Sequence, residues 1–291
     1  MGLEEEAQRN MEQRFRDNPC RGFAIGMNND GGRIAVTWVS ERRENSRNMI
    51  YAVSDGAVRT EIADQVSGMD PLPEMHTAMI DIKGGVIAGN AFQTQMLYES
   101  MKDFSGPGPG CFFGELSRLY CEPDAPVFTP KITGYVPFTQ PQVFISMLKA
   151  DAAEKEKWLS LLEKSGLNRR NFRKEGMKEA DVTKSFNDAV GRIVGIDAYR
   201  FPTTRLTFDL TLTPGYGYCI TTYRPGSSKL DSFEGEPFIV PIRGVVENVM
   251  ESFWNVLDPD WRVAICGKCI KDNKVYTAKP INNYSRKEAN R

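Results

Sequence analysis

The chain has 291 residues, with 37 Lys and Arg against 38 Asp and Glu and a formal charge of −1, a balance that argues against holding nucleic acid by counterion release. Hydrophobic residues make up 41% and aromatics 10%, enough to bury a large core and to exclude a wholly disordered chain. His76 is the one histidine, which excludes a histidine-rich zinc site within one chain and leaves a single imidazole for acid–base work.

Leu3, Ala7, Met11 and Phe15 recur every four residues, the apolar stripe of an amphipathic helix docked on the body. Pro19 ends it, so residues 1–18 read as a helical extension. The opening MGLEEEAQRN lacks the basic and apolar segments of a secretory signal, and the scattered cysteines then predict free thiols in a reducing cytoplasm. No run approaches the about 20 apolar residues that cross a bilayer, so no membrane partner is expected. Residues 22–26, 33–40 and 49–53 read as strands, with a hairpin at 28–32 because Asn and Gly tolerate positive φ. Strands come next at 76–82 and 86–88, then helices around 94–101 and 115–120. Between those helices, residues 105–110 alternate Gly with Pro; proline lacks the N–H donors of a phosphate loop, so this reads as a stiff connection.

Residues 131–150 return to strand-like composition. From 151 to 196 charge dominates around Trp158, Leu159, Leu161 and Leu162, which predicts two or three surface helices inserted into a sheet protein. Strands resume at 205–212, 218–223, 238–242, 261–266 and 274–277, interrupted by a helix at 245–257, and the polar stretch 280–291 is expected to fray. The sum is an α+β protein: one domain over 19–279, a helical insertion at 151–196 and a flexible tail at 280–291.

Five segments carry chemistry-bearing residues. Cys266-Gly-Lys-Cys269 is half a zinc site or a redox pair, yet no second CxxC and no nearby histidine completes it; two thiols on an edge strand or its exit are expected, and no metal. Residues 41–48 gather Arg42, Arg43 and Arg47 after a strand, as a solvated loop or as guanidinium forks for an anion. Gly89-Asn-Ala-Phe-Gln-Thr94 links a strand to a helix, as a capped turn or as amides aimed at a ligand. Residues 122–131 bring Glu122, Asp124, Thr129 and Lys131 to the start of a strand, as a connecting loop or as a proline-stiffened carboxylate site. Residues 214–218 and 232–237 form the last pair.

Taken in chain order, these segments resemble the archaeal-type IMP cyclohydrolase family and its bacterial branch. The resemblance rests on Gly22-Phe-Ala-Ile-Gly26, Val39-Ser-Glu-Arg-Arg-Glu-Asn-Ser-Arg-Asn48, Gly89-Asn-Ala-Phe-Gln-Thr94, Tyr120-Cys-Glu-Pro-Asp-Ala-Pro126, Phe128-Thr-Pro-Lys-Ile-Thr-Gly134, Pro214-Gly-Tyr-Gly217, Ser232-Phe-Glu-Gly-Glu-Pro237 and Phe253-Trp-Asn-Val-Leu257. It implies a four-layer αββα sandwich of the N-terminal-nucleophile hydrolase type, without an N-terminal nucleophile. It also implies closure of the purine ring of 5-formamidoimidazole-4-carboxamide ribonucleotide to IMP with loss of water, with a purine nucleotide as the small-molecule partner and no cofactor. The resemblance makes Glu122, Arg47 and His76 catalytic and Arg42, Asn90, Thr94, Thr129 and Lys131 substrate-binding. The chain departs from the family pattern at His76, where a tyrosine is usual, at Lys131, where Arg is usual, and at Tyr218, where bacterial relatives often have His. Two other readings stay open: an amide hydrolase of the same fold using Cys20, and a non-catalytic purine-nucleotide-binding protein. A homo-oligomer is left open.

Overall fold

The computed structural model describes residues 2–15, 20–40, 48–63, 75–104, 108–119, 128–166, 202–224 and 235–283, with Phe233 and five residues between 185 and 192. Among these residues fourteen strands form two antiparallel sheets of seven. The first contains β1 (Arg21–Met27), β2 (Arg33–Ser40), β10 (Tyr216–Thr221), β11 (Phe238–Pro241), β12 (Arg262–Lys271), β13 (Lys274–Thr277) and β14 (Ile281–Asn282). Its order is β11-β10-β1-β2-β12-β13, with β14 also on β12. The second runs in chain order: β3 (Met49–Ser54), β4 (Ala57–Ile62), β5 (Thr77–Ile82), β6 (Gly85–Gly89), β7 (Lys131–Pro137), β8 (Gln142–Ala150) and β9 (Thr203–Thr211).

Alternation along the strands decides the layers, because successive side chains point to opposite faces. Phe23 and Ile25 of β1 reach Gly134 of β7 so closely that an added methyl at Gly134 would lie 2.5 Å from Ile25 Cδ1. The absent side chain at Gly134 therefore lets the two sheets approach face to face. Val86, Ala88, Ile132, Val136, Val143 and Ile145 complete that inner core. On the far side of the second sheet, Ile80, Ile87, Tyr135 and Phe144 pack against Leu97 and Met101 of α2 (Gln93–Met101) and Phe112 and Leu116 of α3 (Pro109–Ser117).

The outer face of the first sheet is covered by α5 (Val246–Val256), whose Val246 and Met250 close over Gly267 of β12. Beside it lies α1 (Leu3–Gln13), which ends short of the expected residue 18, with Ala7 and Met11 buried and Leu3 exposed, and Phe15, just beyond its end, is buried as well. Phe15 wedges between Trp38 (5.3 Å between ring centroids) and Phe253 (5.4 Å). The observed order is thus helices, sheet, sheet, helices. A further helix, α4 (Ala152–Ser165), connects β8 towards β9; Asp151 Oδ1 caps it by accepting from the Ala153 and Glu154 N–H groups, and Gly166 at φ 64° ends it. No helix among the described residues is long and apolar enough to cross a membrane.

Four local readings change. The helix expected at 115–120 begins at Pro109, because proline at the first helical position gives up an N–H that has no partner there anyway. Strand β4 was not anticipated. Residues 281 and 282 of the tail pair with β12, and the Asn282 side chain brackets β3 by accepting from Tyr51 N (2.9 Å) and donating to Tyr51 O (3.2 Å); residues 284–291 lie outside the described residues. Cys266 and Cys269 stand on β12, which has β2 on one side and β13 and β14 on the other, so this is not an edge strand. Three residues apart on one strand, the two thiols face opposite sides and cannot converge on a metal. Burial pushes Cys266 up to about 12, and Cys219 is likewise raised by burial, which keeps both as thiols near neutral pH.

Candidate functional site

Two strand ends meet where β1 begins beside the end of β6. Cys20, at φ 64°, turns the chain into β1, and its carbonyl accepts from Ser40 N (2.9 Å) and Ser40 Oγ (2.7 Å). Thr222 fastens the other side of the same segment, its N–H donating to Arg21 O at 2.9 Å. With its backbone held on both sides, Arg21 shares the face of Phe23 and Ile25 and points at the second sheet. There Arg21 Nη1 donates to the carbonyl of Asn90, 3.2 Å away. Arg21 is half-buried, and its guanidinium has no carboxylate partner among the described residues.

Asn90 closes β6 and anchors the start of β7 through its side chain. Its Oδ1 accepts from Ile132 N (2.9 Å), and its Nδ2 donates to Pro130 O (2.8 Å). Gln93 Nε2 donates to the same Asn90 Oδ1 (3.1 Å) and to Ile132 O (3.0 Å). The Ile132 bond fixes Asn90 Oδ1 as the acceptor, which in turn fixes the orientation of the Gln93 amide. Most of the polar capacity of Asn90 is therefore spent on holding β7. Thr94 is fully buried where α2 lies on β6, and the missing side chain of Gly89 makes room for its hydroxyl. Thr94 Oγ1 and Gln93 Oε1 are buried without a hydrogen-bond partner among the described residues.

The segment from Phe128 to Ile132 is held from two further directions. Tyr223, after β10, donates its hydroxyl to Thr129 Oγ1 at 2.9 Å, joining the two sheets. Phe128, fully buried at φ 51°, meets Trp158 of α4 edge-on at 5.7 Å, with Ala150, Leu162 and Phe186 around them. A side chain in the left-handed region costs about 1–3 kcal/mol, so the packing of Trp158 keeps this turn in place. Lys131 comes next, half-buried, on the face opposite Ile132 and with no ion pair among the described residues. Truncating Trp158 to alanine is expected to cost about 3–5 kcal/mol and to raise amide exchange at Ile132, measured by denaturation and hydrogen exchange. Trp158→Phe should restore most of both, and unchanged Ile132 protection in the alanine variant would contradict the buttress.

A second polar row crosses the second sheet on its inner face. Tyr51 lies directly opposite Thr60, and its hydroxyl is 3.3 Å from Thr37 Oγ1 of the facing sheet. Thr60 Oγ1 accepts from His76 N (2.7 Å) and lies 3.4 Å from His76 Nδ1. A register shift where β4 pairs with β5 separates the facings of neighbouring residues: Thr77 donates to Gln95 Oε1 of α2 (3.2 Å), while His76 joins Thr60. Burial raises the Tyr51 hydroxyl well above the ordinary phenol range, with Arg21 pulling weakly the other way, so Tyr51 is a neutral hydrogen-bonding group.

The described residues thus bring Asn90, Thr129 and Lys131 to one corner, place His76 on the Thr60–Tyr51 row, and seat Thr94 under the helix. Arg42, Arg47 and Glu122 lie outside the described residues. Tyr218 is on β10 and donates to Thr211 O at 3.1 Å. Arg21 and Tyr51 were missed in sequence, and Gln93 was read only as one amide of the motif at residues 89–94. Arg21 directly precedes the Gly22 segment and Gln93 stands inside a motif already singled out, so adjacency was the available signal; Tyr51 reads as one more strand aromatic. No group of three or more His, Cys, Asp or Glu that could hold a metal occurs among the described residues. The arrangement offers cationic and neutral donors together with a lone imidazole, a set suited to an anionic ligand with carbonyl oxygens.

No curated protein matches the chain significantly. A family model described as "IMP cyclohydrolase-like protein" matches residues 19–274, a span that runs from just before β1 to the first residue of β13 and includes both polar clusters. The chain belongs to the IMP cyclohydrolase-like family.

Proposed function

We propose that the protein is an enzyme of purine synthesis that closes 5-formamidoimidazole-4-carboxamide ribonucleotide to IMP, on a fold akin to the N-terminal-nucleophile hydrolases but without their liberated nucleophile. The observation that carries this reading is the family match across both sheets, and the polar clusters at Asn90 and His76 are compatible with it. In the reaction the carboxamide nitrogen attacks the formyl carbon, a tetrahedral carbinolamine forms, and its hydroxyl leaves as water. Both reacting groups belong to one molecule, so holding them close and coplanar supplies much of the rate. What remains is proton transfer and stabilisation of the developing oxyanion.

In this reading Glu122 and His76 move the protons, and Arg47 with Arg42 faces the nucleotide's charged or carbonyl oxygens. Thr129 and Lys131 lie near the same pocket. Asn90 acts by fixing the segment that carries them, and Thr94 by setting α2 against β6. His76 replaces the family's usual tyrosine as a donor that can also exchange a proton. The purified chain, given the formamido ribonucleotide, should release a product lighter by one water and identical with IMP. Formate and the free amine as products would instead favour the amide hydrolase, with Cys20→Ala abolishing their release.

A further inference from the structure

We infer that Arg21 is a further residue that grips the phosphate of the nucleotide, in addition to Arg42 and Arg47, an assignment that rests on the purine-nucleotide reading above and names a contact within that site. Five N–H donors radiate from a guanidinium in a fixed fork. Among the described residues the Arg21 side chain makes one hydrogen bond, to the Asn90 carbonyl. Taking a cation partly out of water is unfavourable unless an anion or several acceptors compensate it. Tyr51, whose hydroxyl feels the Arg21 charge, is a neutral phenol because burial suppresses its ionisation. It cannot serve as the counter-ion.

The backbone around Arg21 is also built for position. Ser40 ties Cys20, Thr222 ties Arg21, and the Asn90 carbonyl sets the direction of the guanidinium. The remaining donors form an edge suited to two oxygens of one phosphate, the geometry in which arginine outperforms lysine. The same Asn90 holds the carbonyl of Pro130 and the N–H of Ile132 on either side of Lys131. Asn90 thereby fixes the strand end that Arg21 meets from the inner face, while Lys131 leaves the same strand on the opposite face, so Arg21 is the cation that points between the sheets there. A chain with a formal charge of −1 has no large excess of positive charge to spread over its surface, so phosphate binding needs such a local cation.

Calorimetric titration of the wild type, Arg21→Gln and Arg21→Lys with IMP and with inosine separates the phosphate from the rest of the nucleotide. The expected result is IMP affinity lower by about 10–100-fold in Arg21→Gln, the loss of one or two charge-assisted hydrogen bonds. Inosine affinity should change by less than about twofold, and Arg21→Lys should fall between. Equal losses for IMP and inosine would overturn the phosphate assignment, as would unchanged affinity for both. If Arg21→Gln does not fold, the lysine variant carries the comparison, with the same selective loss for IMP required. If wild type binds neither nucleoside nor nucleotide, the nucleotide reading fails by itself; ribose 5-phosphate is then the probe, and binding that Arg21→Gln or Arg21→Lys weakens upholds the anion grip, while its absence overturns it.

Discussion

Alanine in place of Lys268 is expected to lower the unfolding free energy by about 3–5 kcal/mol, a large part of the roughly 5–15 kcal/mol that stabilises a folded domain. Lys268 is fully buried between the sheets, and its ammonium group donates to Asp81 Oδ1 (2.7 Å), Thr277 Oγ1 (2.9 Å) and Gly56 O (3.0 Å). Those three acceptors match the three protons of an ammonium, so the ion is compensated although it lies out of water. Asp81 is on β5 and Gly56 at the β3–β4 turn of one sheet, whereas Lys268 and Thr277 are on β12 and β13 of the other. The cluster therefore ties the sheets together. Truncation leaves a cavity and strands a carboxylate whose side chain is only 30% exposed. Lys268→Met combined with Asp81→Asn should recover much of the loss, because removing both charges costs far less than removing one. Urea unfolding of the three proteins checks this; an alanine variant as stable as wild type would contradict it.

The second large effect concerns catalysis. Replacing His76 by glutamine is expected to reduce kcat for ring closure by about 10²–10⁴-fold, the usual loss when a positioned proton donor or acceptor is removed. Glutamine retains similar reach and can still meet Thr60, so stability should change little. His76→Tyr should keep more activity than His76→Gln, since a phenol at this position can still donate a proton. The half-buried ring lies beside Thr60 Oγ1 at 3.4 Å, and Thr60 pairs with Tyr51 across the sheet. Steady-state kinetics of the two variants tests this, and a kcat for His76→Gln equal to that of wild type would remove His76 from the chemistry.

Much of the sandwich was legible because alternation and turn chemistry are local. Asn28 illustrates it: its Oδ1 accepts from Asp30 N (3.1 Å) and Gly32 N (2.8 Å), and Gly31 takes φ 78°, the conformations for which Asn and Gly were read as a hairpin. The stripe of Ala7, Met11 and Phe15 likewise needs only helical periodicity. Strand β4, Ala-Val-Arg-Thr-Glu-Ile, was not legible, since its polar residues hide an alternation that matters only once β3 and β5 flank it. The candidate site shows the same divide. Asn90 and Thr129 announced themselves as polar residues in turn-like motifs, but the roles they take depend on partners 40 residues away at Pro130 and 94 residues away at Tyr223. Arg21 could not be singled out, because a strand-leading arginine becomes unusual only once no acid meets it among the described residues. Nor could the insertion be connected with the site: Trp158 acquires its meaning through Phe128, whose left-handed backbone no local rule foretells.

Ring closure is tested by incubating the purified chain with 5-formamidoimidazole-4-carboxamide ribonucleotide and monitoring IMP chromatographically against an enzyme-free control. Repeated turnover to IMP is expected, with none of the substrate deformylated. Binding of the ribonucleotide with no IMP formed above the control would contradict it and leave a nucleotide-binding protein without this activity.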